Sequence, residues 1–254
     1  PKLFDGEKRG MTAKGFEQKR DGESAPAKGV LLLNYGGPRA EEEVLPFLEE
    51  LFNDPAMFRY PGWIRKRGAR YAAGRRAPKL SAVYREMGRF SPIWEETEAQ
   101  ASALRESLGE NFGVFTGMRY FPEELDATAG RICDSGIGEL LLFPLYPQES
   151  DTSTLSAITA ARDSLNRAGF KGTILEARNF FREKGFLEAV CELLREKLGS
   201  MEEKPRIIFT AHGLPVKLAL KDNYNDQVRE TAKLICKELS IILSLTNPSA
   251  NGWQ

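Results

Sequence analysis

The stretch Gly29-Val-Leu-Leu-Leu-Asn-Tyr-Gly-Gly-Pro38 decides the fold. Four consecutive apolar side chains, too short for a helix, read as a strand buried on both faces. Pro38 with Glu41, Glu42 and Glu43 then suits a helix first turn. Val44, Phe47, Leu48, Leu51 and Phe52 continue with helical spacing. A buried strand leading straight into an amphipathic helix is the opening unit of an α/β fold.

The rest of the chain repeats that alternation. Strands are expected at 112–120, 139–147, 172–179 and 206–212, and helices over 151–168, 184–198 and 224–245. Gly169 closes the first of these helices. Residues 54–110 read as nearly all helical, an insertion after the first unit. The fold class is therefore α/β, with parallel sheets and helices on both faces. The charged, glycine-rich residues 1–28 carry no apolar core signal and are expected to be a disordered tail.

Lys plus Arg and Asp plus Glu both number 36, so no global charge points to nucleic acid. No apolar run is long enough to span a bilayer. Cys133, Cys191 and Cys236 lie far apart without a CxxC pair, which disfavours a structural zinc or iron–sulfur site and suits a reducing cytoplasm. Cys191 shares helical spacing with Leu187, Val190, Leu194 and Leu198, so it is expected in a core. No GxGxxG follows any expected strand, which argues against a dinucleotide site.

One short echo ties the two ends of the pattern together. Leu31 to Pro38 can be laid on Ile207 to Pro215, each an apolar run ending in a ring side chain before a Gly-x-Pro turn. Tyr35 and His212 would then stand at the carboxyl ends of equivalent strands, where open α/β sheets bind ligands. His212 is the single histidine of the chain. Its imidazole titrates near neutrality and its free nitrogen ligates metals, so it suits proton transfer or metal delivery. The segment Met57 to Arg76 mixes Phe58, Tyr60, Trp63 and Tyr71 with seven arginines and lysines. That mixture suits a lip gripping a flat aromatic ligand, or a patch on an anionic membrane.

Six motifs, LLLNYGGP, RRAPKLSAVYREMGRFSPI, TGMRYFPE, LLFPLYPQESDTSTLSA, FTAHGLP and the terminal GWQ, occur in the order and spacing of the ferrochelatases. The chain resembles that family from Gly29 to Gln254. The resemblance implies two similar Rossmann-like domains around a porphyrin cleft: 29–180 with its helical lip 54–110, and 181–254 as a partial second domain. It implies insertion of Fe(II), as substrate, into protoporphyrin IX or coproporphyrin III in haem biosynthesis, with no permanently bound cofactor. His212 falls on the family's catalytic and metal-binding histidine. Tyr35 falls on an optional axial metal ligand and substrate contact. Arg76, Lys79, Tyr84, Ser91, Arg119 and Tyr120 fall on positions that contact the tetrapyrrole. Partners implied are the porphyrin, ferrous iron and, for some members, a membrane touched peripherally.

Some departures stand out. The run Gly88-Arg89-Phe90-Ser91 replaces the family's paired glycines, and Asp222 to Gln227 lacks its usual proline. The family continues beyond the point matching Gln254, through a glutamate that partners the histidine, so the chain is expected to be C-terminally truncated. Two other readings follow: a porphyrin- or haem-binding fragment without catalysis, and a chelatase for another metal and tetrapyrrole.

Overall fold

The computed structural model describes residues 27–202, 205–213 and 222–240. Residues 1–26 of the expected tail 1–28, the end of the last helix beyond residue 240, and the GWQ motif lie outside the described residues, while Lys28, expected in the tail, opens the first strand.

Four parallel strands form one sheet in the order β2-β1-β3-β4: β1 (Lys28–Asn34), β2 (Phe112–Met118), β3 (Glu139–Pro144) and β4 (Thr173–Glu176). The chain leaves β1 for β2 on one side and β3 for β4 on the other, so the strand order reverses between β1 and β3. This is a switch point, where a crevice opens at the carboxyl edge. A single 3₁₀ turn over Glu41–Glu43 leads into α1 (Val44–Phe52), followed by α2 (Gly62–Glu86) and α3 (Ile93–Leu108). Then come α4 (Pro122–Asp134), a π-turn over Asp151–Leu155 that runs into α5 (Ser156–Ala168), α6 (Lys184–Gly199) and α7 (Tyr224–Glu238).

Alternation along the strands divides the core. Leu31, Leu33, Phe115, Leu140 and Leu142 pack against Leu125, Ala129 and Ile132 of α4 and Ala161 and Leu165 of α5. Val30, Leu32 and Val114 face the opposite way, onto Ala101, Leu104 and Leu108 of α3. Phe180, just before α6, stacks on Phe143 of β3 at a centroid distance of 5.2 Å. Helices on both faces explain why β1 reads as an unbroken apolar run.

Ser150 caps the π-turn by accepting the Thr152 N–H, and Gly169 adopts the left-handed conformation that ends α5. Cys191 is fully buried in α6, as its spacing predicts.

The expected fifth strand is a correction. Residues 205–213 carry no regular secondary structure, and Ile208 is 77% exposed. Among the described residues no strand lies beside this segment. An isolated strand has no ladder to bond with, so apolar sequence alone does not form one. The echo with β1 is therefore an echo of sequence and not of described structure. Helix α4 was missing from the sequence reading altogether.

Candidate active site

Backbone ladders extend past the assigned strands and assemble the carboxyl edge. Arg119 N–H donates to the Asn34 carbonyl at 2.8 Å, Tyr120 N–H to the Tyr35 carbonyl at 3.2 Å, and Leu145 N–H to the Leu33 carbonyl at 2.8 Å. These bonds set Arg119 and Tyr120 on one side of Tyr35 and Tyr146 on the other. The Tyr35 ring meets Tyr120 edge-on at 4.8 Å and Tyr146 at 6.2 Å. Gly36 follows with φ +83°, and a Cβ there would lie 2.7 Å from the Phe121 ring. Only glycine turns the chain this sharply beside Tyr35.

Below the rings sits a buried charged cluster. Asp54, in the turn after α1, accepts the Tyr120 hydroxyl at 2.9 Å and the Ser156 hydroxyl at 2.5 Å. Arg119 approaches the same carboxylate oxygen at 3.2 Å. The Arg119 Nε–H donates to Ser156 Oγ at 2.7 Å, and the guanidinium lies over the Tyr120 ring at 4.8 Å. Tyr120 is 1% exposed, so it faces Tyr35 and Asp54 and has almost no open surface of its own. Asp54, Arg119 and Ser156 form part of the wall of a cavity of about 490 Å³ that also takes in Arg59 and Asp151.

Burial raises the phenol of Tyr35 above the usual tyrosine range, and the Asp54 charge adds to this against the Tyr120 bond and the Arg119 charge. Burial likewise pushes Tyr120 and Tyr146 far up. All three are neutral phenols at physiological pH. The Tyr146 hydroxyl is buried, with no hydrogen-bond partner among the described residues.

The other expected contacts lie along the lip. Ser91 N–H donates to the Pro38 carbonyl at 3.0 Å, and the ring of Tyr84 packs on Phe90 beside it at 5.3 Å. A Cβ on Gly37 would stand 2.5 Å from Ser91 Oγ, so the lip and the β1 turn touch directly. Arg76 and Lys79 are exposed on α2. Tyr60, Trp63 and Tyr71 are also exposed, by 62%, 70% and 68%, leaving an aromatic surface on the lip.

His212 is exposed in the irregular segment. Burial raises the phenol of Tyr224 at the start of α7, and the backbone of His212 works against that rise. Among the described residues no hydrogen bond or salt bridge joins its side chain to the Tyr35 cluster, and no group of three His, Cys, Asp or Glu residues could hold a metal ion. The structure thus brings together Tyr35, Arg119 and Tyr120, sets Tyr84 and Ser91 beside them, and among the described residues gives His212 no side-chain bond to them.

Sequence reasoning missed Asp54, Ser156 and Tyr146. Asn-Asp-Pro reads as an ordinary polar turn, and Ser156 lies inside a helix. Tyr146 offered a signal, since it ends the apolar run of β3 as Tyr35 ends that of β1.

The ferrochelatase family model matches residues 27–254. A ferrochelatase of Aquifex aeolicus is 38% identical over 212 residues, covering 82% of this chain and 67% of the relative. One from Wolbachia of Drosophila simulans is 35% identical over 221 residues, covering 84% and 70%. One from Rickettsia bellii is 35% identical over 217 residues, covering 84% of this chain and 60% of the relative. The chain thus spans roughly two thirds of the length of these relatives.

Proposed function

Because the chain belongs to the ferrochelatase family, we propose that the carboxyl edge carrying Tyr35 is one wall of a cleft in which Fe(II) is inserted into a porphyrin, a step of haem biosynthesis. The observation that carries this reading is the seat of Tyr35. It stands at the switch point of the sheet, flanked by two more tyrosine rings and backed by a part-buried arginine. A flat, apolar macrocycle with acidic margins fits an aromatic wall with cationic surroundings.

Metallation removes two pyrrole protons and delivers a partly dehydrated cation. His212 is the group assigned to that proton transfer and to metal contact. Tyr35 offers the metal a phenol oxygen from the first-domain wall. Arg76, Lys79, Tyr84 and Ser91 are assigned to the porphyrin carboxylates, which an exposed cationic lip attracts. Arg119 and Tyr120 shape the wall, Tyr120 acting through the Tyr35 ring against which it packs. Binding energy from these remote contacts supports the distortion that tilts pyrrole lone pairs toward the metal. We place the reaction in the cytoplasm, with peripheral membrane contact through the exposed lip aromatics.

The test is His212→Ala in the full chain, mixed anaerobically with porphyrin and Fe(II). The variant is expected to shift the Soret band on binding porphyrin yet never produce the metallated spectrum. Metallation at the wild-type rate would overturn the assignment of His212. A wild type that binds porphyrin without metallating it would favour a non-catalytic porphyrin-binding protein.

A further inference from the structure

Asp54 is a carboxylate with no solvent-exposed side-chain surface, set in the turn between α1 and the lip. Four donors converge on it. The Ala56 N–H reaches Oδ1 at 2.8 Å. The Tyr120 hydroxyl, the Ser156 hydroxyl and Arg119 Nη2 reach Oδ2 at 2.9, 2.5 and 3.2 Å. A buried carboxylate is costly unless its lone pairs are taken and its charge is matched, and here both conditions hold.

The donors come from three segments: the lip turn, the end of β2 and the first residue of α5. Ser156 also accepts the Arg119 Nε–H, so the Nε–Nη2 edge of the guanidinium is held at two points. Such a two-point grip fixes the plane of an arginine as well as its position. Tyr120 is fixed at its hydroxyl by Asp54, and its ring edge supports the ring of Tyr35. Arg119 keeps 15% of its side chain open, on the wall of the 490 Å³ cavity.

We propose that Asp54 is a positioning residue of the porphyrin site: its carboxylate fixes the guanidinium of Arg119 and the phenol of Tyr120, and through the Tyr120 ring the seat of Tyr35. The proposal rests on the reading of that edge as a chelatase wall. Asp54 touches neither porphyrin nor metal; it acts through residues that do.

The experiment compares wild type, Asp54→Asn and Ser156→Ala as full chains labelled with ¹⁵N-arginine. Asp54→Asn keeps the shape but turns an NH₂ group, or an uncharged oxygen, toward three donors. Ser156→Ala removes the bond to Arg119 Nε and leaves the carboxylate, and serves if Asp54→Asn does not fold. The Arg119 Nε–H signal is identified by its loss in Arg119→Lys. It is expected to resist solvent exchange in the wild type and to exchange like the surface arginines in both variants.

Metallation is measured well below each variant's thermal midpoint. There kcat is expected to fall about 100-fold, the cost of misplacing groups by about an ångström, with KM for porphyrin unchanged. A protected Arg119 Nε–H in the variants, or an unchanged kcat, overturns the proposal. If the wild type itself does not metallate porphyrin, the functional reading fails, and the arginine signal alone still decides whether Asp54 holds Arg119.

Discussion

At Gly37 the lip and the sheet come within contact distance. A Cβ there would meet Ser91 Oγ at 2.5 Å and Ser91 Cβ at 2.7 Å, while the Gly37 carbonyl accepts the Trp94 indole N–H at 2.7 Å. Neither neighbour has room to withdraw without losing these contacts. Gly37→Ala should therefore cost about 1–3 kcal/mol, the usual range for overpacking. Gly37→Ala combined with Ser91→Gly should recover most of that loss in chemical denaturation; a single variant as stable as wild type would show that the lip is loosely seated. Tyr120→Phe tests the neighbouring layer. It leaves the buried Asp54 one donor short, and should cost about 1–3 kcal/mol in the same assay. At this scale the sequence exposes residues that end a pattern, such as Tyr35 after an apolar run. It hides Asp54, because burial of a turn carboxylate depends on Tyr120 and Ser156, which lie 66 and 102 residues away in the chain.

Between elements, Arg39 joins the β1–α1 turn to two helices. Its backbone N–H and guanidinium bond Glu43 at 2.8 and 2.6 Å, and the guanidinium reaches Glu124 of α4 at 3.1 Å and covers Trp94 of α3 at 4.3 Å. Burial works against the charge of Glu43, but the bonds from Arg39 prevail and hold its carboxyl below the usual range. A carboxyl that is more acidic in the folded protein than in the unfolded one adds stability above its unfolded pKa. That stability is lost as pH falls through the folded value. Thermal midpoints of the wild type should therefore decline more steeply than those of Arg39→Met from about pH 5 downward, and the two curves should converge in acid. Parallel curves would leave the Arg39 cluster without a role in joining these elements. The same local logic explains which elements were legible. Strands β1 and β3 carry continuous apolar runs, β2 has Phe112, Val114, Phe115 and Met118, and α1 and α5 carry full stripes. Helix α4 escaped because its buried face is Leu125, Thr128, Ala129 and Ile132, where a threonine and an alanine blunt the stripe.

For the whole molecule, the decisive question is how the His212 segment is held against the sheet. The attachment is polar. Asp222 accepts the Asp151 N–H at 2.9 Å, Gln227 accepts the Glu149 N–H at 2.8 Å, and Gln148 donates to Thr231 at 2.9 Å. Arg182 pairs with Glu230 at 2.6 Å. Bonds of this kind between distant residues leave no periodic trace, so the sheet was readable and the placement of α7 was not. Asp222 matters most, because its other oxygen accepts the Tyr224 N–H at 2.8 Å, and the His212 backbone acts on the Tyr224 hydroxyl, opposing the burial that raises its pKa. One carboxylate thus links the π-turn after β3 to the loop carrying the candidate catalytic histidine. Asp222→Ala removes a cap-like acceptor, a loss of about 1 kcal/mol. In hydrogen exchange, that corresponds to local opening roughly five times more frequent. The faster exchange should be confined to 205–213 and the first turn of α7, with β1, β2 and β3 unchanged. Acceleration spread evenly through the sheet would mean that α7 and the strands open as one unit. The His212 loop would then owe its position to the core and not to this carboxylate.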